Sequence, residues 1–167
     1  MAPFVENKDT AQPFQKLYDD EIVRLRDLVE RGKVMIGIVT AYFAFFTFSI
    51  EKLDLAGYAA SLLLLLVVFA VVVFVSALAF ALYALKVTNY SGCPDPEQEL
   101  RDIEQQRRSA EEFWQTRMAI YAVAANRNAA LNNERGNCLR WAGRLLLAGI
   151  TLHGLTVIIA LTQRILK

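Results

Sequence analysis

A chain of 167 residues that is 55 % apolar and only 21 % charged is too small and too apolar for two water-soluble domains; it fits one membrane domain with short polar extensions. Its 18 basic and 17 acidic residues leave a formal net charge of +1, so bulk charge points neither to nucleic acid nor to an acidic partner. Cys93 and Cys138 show no CxxC spacing and the single histidine, His153, stands in a different, apolar segment, which excludes a zinc-type site and predicts no cofactor.

The opening MAPFVENKDTAQPF has no basic start followed by an apolar run, so insertion relies on the spans themselves. Residues 1–12 lack periodicity and read as a mobile or loosely docked arm. From Pro13 the pattern changes. Phe14, Tyr18, Ile22, Leu25 and Val29 recur at three- and four-residue spacing, while Asp20 with Arg24, and Asp27 with Arg31, stand four apart on the other side. This spacing predicts an amphipathic helix over 13–33.

No breaker separates that helix from Val34–Ile50, a first span of about 25 Å, near the short limit for crossing a bilayer. Gly37, Ala41 and Ala44 place small residues on one side of it, the pattern that lets helices approach closely in lipid, so span one is expected to pack there. Phe43, Phe45, Phe46 and Phe48 crowd several faces and predict packing or lipid contact rather than a cofactor stripe. EKLD, Glu51 to Asp54, makes a tight turn on the far side of the bilayer.

Leu55 to Leu85 contains no charged side chain, and at 1.5 Å of rise per residue it makes a helix of about 45 Å against a hydrocarbon core of about 30 Å. It is apolar on every side, whereas a water-soluble helix keeps a polar stripe. This is the second span. Gly92, Pro94 and Pro96 then mark a loop over 86–95, and Asp95-Pro96-Glu97-Gln98 reads as the start of a new polar helix. Residues 96–140 carry Leu100, Ile103, Ala110, Phe113 and Trp114 as an apolar seam suited to the N-terminal helix, with Gly136 as the one plausible bend. Span three, 141–163, is built on the run Leu145 to Leu161, with Trp141 at its interface and Arg144 at its mouth.

Near the span ends, Arg24, Arg26, Arg31, Lys33, Lys86, Arg135, Arg140 and Arg144 lie on one side and only Lys52, Arg164 and Lys167 on the other. The excess of positive charge marks the cytoplasmic side. The expected fold is therefore an all-α integral membrane protein, with three transmembrane helices continued on the cytoplasmic side by a helical bundle, and with a cytoplasmic N-terminus. Both cysteines fall on that reducing side, so no disulfide is expected.

No catalytic constellation is present: carboxylates lie among basic partners and no glycine-rich phosphate loop occurs, so the chain is not expected to be an enzyme. Its most informative polar feature is the cluster Asn126, Asn128, Asn132, Asn133 and Asn137 with Arg140 and Arg144. Asn126, Asn133, Asn137, Arg140 and Arg144 share one helical face that continues inward to Ala148, Thr151, Leu155 and Thr162. Two readings compete. Copies of this face can surround a hydrated vestibule, or the arginines can neutralise lipid phosphates while the asparagines satisfy contacts inside one subunit. His153, near the middle of span three, needs a polar partner, for which Ser76 or Thr151 is available; protonation there would make the site pH-sensitive.

The polar helix LYDDEIVRLRDLVERGKVMIG and the stretch NRNAALNNERGNCLRWAGRLLLAG before the last span give the chain a layout similar to small bacterial membrane effectors of nucleotide-signalling and phage-defence islands, of the SLATT type. Their plan is a charged helix, a short hairpin of two spans and a long cytosolic helix. The resemblance implies a homo-oligomer that perforates or depolarises the inner membrane when a cytoplasmic sensor or effector complex detects infection. This chain departs from the plan by a third span and by having no attached nucleotide-binding domain, so its trigger would be a separate partner. The competing function is a non-catalytic accessory or anchoring subunit of a larger membrane complex.

Overall fold

The computed structural model describes residues 3–52, 60–86, 90–92 and 110–165. Three helices account for nearly all of them: α1 (Pro3–Glu51), α2 (Ala60–Ala84) and α3 (Ala110–Ile165), with no strand among the described residues. All three are long and apolar enough to cross a membrane. The expected helix start at Pro96, the seam residues Leu100 and Ile103, Cys93, and the turn residues Leu53 and Asp54 lie outside the described residues.

The chain divides into two compact units, a polar one from residues 1–27 and 87–134 and an apolar one from residues 28–86 and 135–167. In the polar unit, α1 turns Ala11, Phe14, Tyr18, Ile22 and Leu25 inward and leaves Asp20, Arg24 and Asp27 exposed. Tyr18 meets Tyr121 of α3 with ring centroids 5.8 Å apart. The helix begins at Pro3 rather than Pro13, so the arm reading of 1–12 gives way to helix from residue 3 onward. A proline at a helix start forfeits no internal hydrogen bond, and Pro13 inside forfeits one. Ala11, only 3 % exposed, extends the inward face back past that proline. The ion pairs also differ. Arg24 meets Glu21 at 3.4 Å and Lys33 meets Glu30 at 2.7 Å, each three residues apart, in place of the four-apart Asp20–Arg24 and Asp27–Arg31 pairs.

Within the apolar unit, inward positions alternate steps of three and four on every helix. Gly32, Met35, Val39, Tyr42, Phe46 and Ser49 do so on α1; Leu63, Val67, Ala70, Phe74, Ala77, Ala81 and Ala84 on α2; and Leu139, Ala142, Leu146, Gly149, His153, Thr156, Ala160 and Gln163 on α3. The mean of 3.5 residues is the repeat of left-handed, knobs-into-holes packing. On α2 alanines take much of the inward face beside Leu63 and Phe74, while large residues crowd the outer one: Ala70, Ala77 and Ala81 are fully buried, whereas Leu65 is 64 % and Phe69 57 % exposed. Such a reversal suits a helix whose outer solvent is lipid and whose inner face gains by close approach.

That close approach falls on residues other than those proposed for it. Gly37, Ala41 and Ala44 are exposed on α1, and a Cβ at Gly37 would meet nothing within 4 Å. Bulky Val39 and Phe46 pack instead, joined in one cluster with Ala70, Phe74, Ala77 and Leu146, because the alanines of α2 leave space that α1 fills. At Gly149 the fit is closest: the Phe74 ring lies on its bare backbone, and a Cβ there would stand 2.6 Å from the ring. Helix continues through Gly136, so from Ala110 onward the 96–140 and 141–163 segments belong to one element, α3.

Candidate functional site

All the buried polar side chains of α3 fall on its inward seam: Asn128 and Asn132 in the polar unit, then His153, Thr156 and Gln163 in the apolar unit. Asn128, Asn132 and His153 bond other segments and so fix register, whereas Thr156 returns its hydroxyl to the Leu152 carbonyl and the Gln163 amide has no partner among the described residues.

In the polar unit the seam binds the segment after α2. The Asn128 side-chain amide mimics a backbone partner for Ser91, its Oδ1 accepting from the Ser91 N–H at 3.0 Å and its Nδ2 donating to the Ser91 carbonyl at 3.1 Å. Asn132 Nδ2 donates to the Glu21 carbonyl at 2.9 Å, to Glu21 Oε2 at 2.7 Å and to Tyr90 Oη at 2.6 Å. Tyr90 Oη in turn donates to the Glu21 carbonyl at 3.1 Å. Alongside lies an open cavity of about 350 Å³ whose wall includes Ser91, Gly92, Thr116, Ile120, Val123 and Arg127.

The stripe singled out from sequence takes the opposite side of the helix. Asn126, Asn133, Asn137, Arg140, Arg144 and Thr151 are all exposed, so they do share an outer face. Several have partners within the chain: Asn133 accepts from Arg24 at 2.7 Å, Asn137 accepts from Arg140, and the Arg144 guanidinium lies 5.1 Å from the centre of the Trp141 ring. Thr151 returns its hydroxyl to the Leu147 carbonyl at 2.9 Å, a geometry compatible with lipid contact.

His153 is 4 % exposed and faces protein. Its partners are Tyr42 Oη on Nδ1 and Ser49 Oγ on Nε2, each at 3.0 Å, and the rings of Tyr42, Phe45 and Phe46 stand edge-on around it. Ser76, half-buried, and Thr151, exposed, the partners proposed from sequence, bond their own helix carbonyls instead. They point away because the seam of α3 faces α1 at this level. A neutral imidazole offers one donor and one acceptor, and a hydroxyl can play either role, so both tautomers are satisfied. Tyr42→Phe and Ser49→Ala are each expected to lower stability by about 0.6 kcal/mol, and His153→Leu by about twice that, in unfolding measured in mild detergent. Indistinguishable unfolding for all three variants would show that the bridge contributes nothing.

Asn128 and Asn132 belong to the asparagine cluster visible in the sequence but not to its shared face, and Tyr42 and Ser49 carry no such signal. The signal that finds the two asparagines is register: Tyr121, Asn128, Ala142, Gly149 and Thr156 lie at multiples of seven, as do Asn132, Leu139, Leu146 and His153. Among the described residues no group of histidine, cysteine or carboxylate side chains has the arrangement of a metal site, and the buried Cys138 is in no disulfide. Comparison with family models, curated proteins and solved structures finds no match to this chain.

Proposed function

We propose that the chain is a non-enzymatic effector of the bacterial inner membrane, with its N-terminus cytoplasmic, that self-assembles and compromises the bilayer in response to a partner at its polar unit. The observation that carries this reading is the exposed Asn126–Asn133–Asn137–Arg140–Arg144 face, which stays available to a second copy while the inward seam of the same helix is occupied. The open cavity beside Ser91 and Arg127 adds support, being of a size that small-molecule sites have. The trigger in this reading is a sensor complex or its product acting on the cytoplasmic bundle.

Identical faces build closed rings, so native mass in nanodiscs, without any companion protein, is the first test. A discrete oligomer and dye release from liposomes, both reduced in Asn133→Leu and Arg144→Ala, are the expected results. A clean monomer that leaves liposomes sealed would end the constitutive-ring form of the proposal.

A second reading, an accessory subunit anchored in a larger membrane complex, draws on the internal satisfaction of Asn128 and His153. Side chains already matched within one subunit need no identical neighbour. A monomer that is captured stably by one foreign membrane partner would favour this reading.

A further inference from the structure

We infer that Arg140, Trp141 and Arg144 form a site for the phosphate of an anionic glycerophospholipid. The inference rests on the membrane placement proposed above, and for Arg140 and Arg144 it takes the lipid-phosphate role in place of a contact between copies.

The first argument is charge. From Arg135 to Lys167 the chain contains no aspartate or glutamate, so this part of the apolar unit offers cations and no carboxylate. Among the described residues Arg140 and Arg144 form no ion pair; Arg140 donates to the Asn137 amide and Arg144 rests on Trp141. Two exposed guanidinium groups one helical turn apart thus keep most of their donors free.

The second argument is geometry. The Arg144 guanidinium lies 5.1 Å from the centre of the Trp141 ring, and a planar guanidinium fork binds two phosphate oxygens. Trp141 is 49 % exposed and lies directly before the run Leu145 to Leu161, where an amphipathic ring sits at headgroup level. The same pairing of cation over aromatic recurs where α2 ends, with Lys86 lying 5.6 Å from the Tyr83 ring centre, which marks that helix end too as interfacial.

The third argument is selectivity. A zwitterionic lipid brings an ammonium as well as a phosphate, and this site has no carboxylate to receive the ammonium. An anionic lipid brings the phosphate alone. The preference should therefore be for phosphatidylglycerol over phosphatidylcholine.

The test uses the full chain in mild detergent with mixed phosphatidylglycerol and phosphatidylcholine, reading the lipids retained by native mass spectrometry. Wild type is expected to retain phosphatidylglycerol preferentially, and R140Q/R144Q to lose at least five-fold of that preference. R144K keeps the charge without the stacked plane and should fall between them. R164Q, at the opposite end of the span, should behave as wild type. Equal retention by wild type and R140Q/R144Q, or an equal loss in R164Q, overturns the site. Flotation with vesicles of phosphatidylcholine alone separates the two failures. A chain that does not float contradicts the membrane placement, whereas one that floats but shows no lipid preference contradicts only the site.

Discussion

Gly149→Ala is expected to destabilise the apolar unit, although alanine is the better helix former. The added Cβ would stand 2.6 Å from Cε1, 2.8 Å from Cζ and 3.0 Å from Cδ1 of Phe74, so a whole ring edge must move. Phe74 has nowhere to go: it is 1 % exposed and its ring meets those of Tyr42, Phe43 and Phe46 at centroid distances of 5.5, 6.1 and 5.3 Å. Overpacking of this kind costs about 1–3 kcal/mol, against a helix-propensity gain of at most about 1 kcal/mol.

Two other glycines calibrate the result. A Cβ at Gly154 would meet nothing within 4 Å, so Gly154→Ala should raise stability by propensity alone. At Gly32 the Cβ would meet Leu85 Cδ2 at 2.6 Å, the free end of a flexible side chain, so Gly32→Ala should fall between the two. Unfolding in mild detergent should therefore rank Gly154→Ala above Gly32→Ala above Gly149→Ala. A rise for Gly149→Ala equal to that for Gly154→Ala would mean that the ring does not rest on the helix backbone.

The same contrast explains what could be read from the residues. Long apolar runs and one amphipathic segment identify three helices long and apolar enough to cross a membrane, because length and the absence of charge are local properties. The rule that small residues mark close packing was also legible, but it could not say which helix obeys it. Gly37, Ala41 and Ala44 are as evenly spaced as Ala70, Ala77 and Ala84, yet only the second set is buried. A span apolar on every side carries no hydropathy contrast to orient it, so its inward face is set by tertiary fit. His153 illustrates the other limit. The need for a polar partner follows from the residue alone, but Tyr42 and Ser49 are 111 and 104 residues away in the chain, and no local pattern selects them over Ser76. A seven-residue register carried down α3 from Tyr121 could have placed Asn132 and His153 on one seam.

In the polar unit the largest effect is expected at Asn132. Fully buried, it donates to the Glu21 carboxylate, the Glu21 carbonyl and the Tyr90 hydroxyl, which makes it the one side chain that ties α1 and the segment at Tyr90 to α3. Asn132→Leu keeps the volume and removes the donors. Glu21 Oε2 then loses its bond while the Arg24 contact remains on Oε1 at 3.4 Å, an expected cost of about 1–3 kcal/mol. Part of that is offset, because the buried Asn132 Oδ1 has no partner among the described residues and its removal relieves a desolvated acceptor.

Asn132→Asp separates the bond from the packing. It sets a second carboxylate against Glu21, and like charges at this distance repel. The penalty is therefore full at neutral pH, where both carboxyls are charged, and shrinks on acidification as one of them is neutralised. Unfolding at neutral pH should rank wild type above Asn132→Leu above Asn132→Asp, and the gap between Asn132→Asp and wild type should narrow on acidification. A gap that does not change with pH would mean that the Glu21 carboxylate does not face residue 132. The tie from Asn132 to α1 would then rest on its bond to the Glu21 backbone carbonyl, beside the Arg24–Asn133 contact at the surface of the unit.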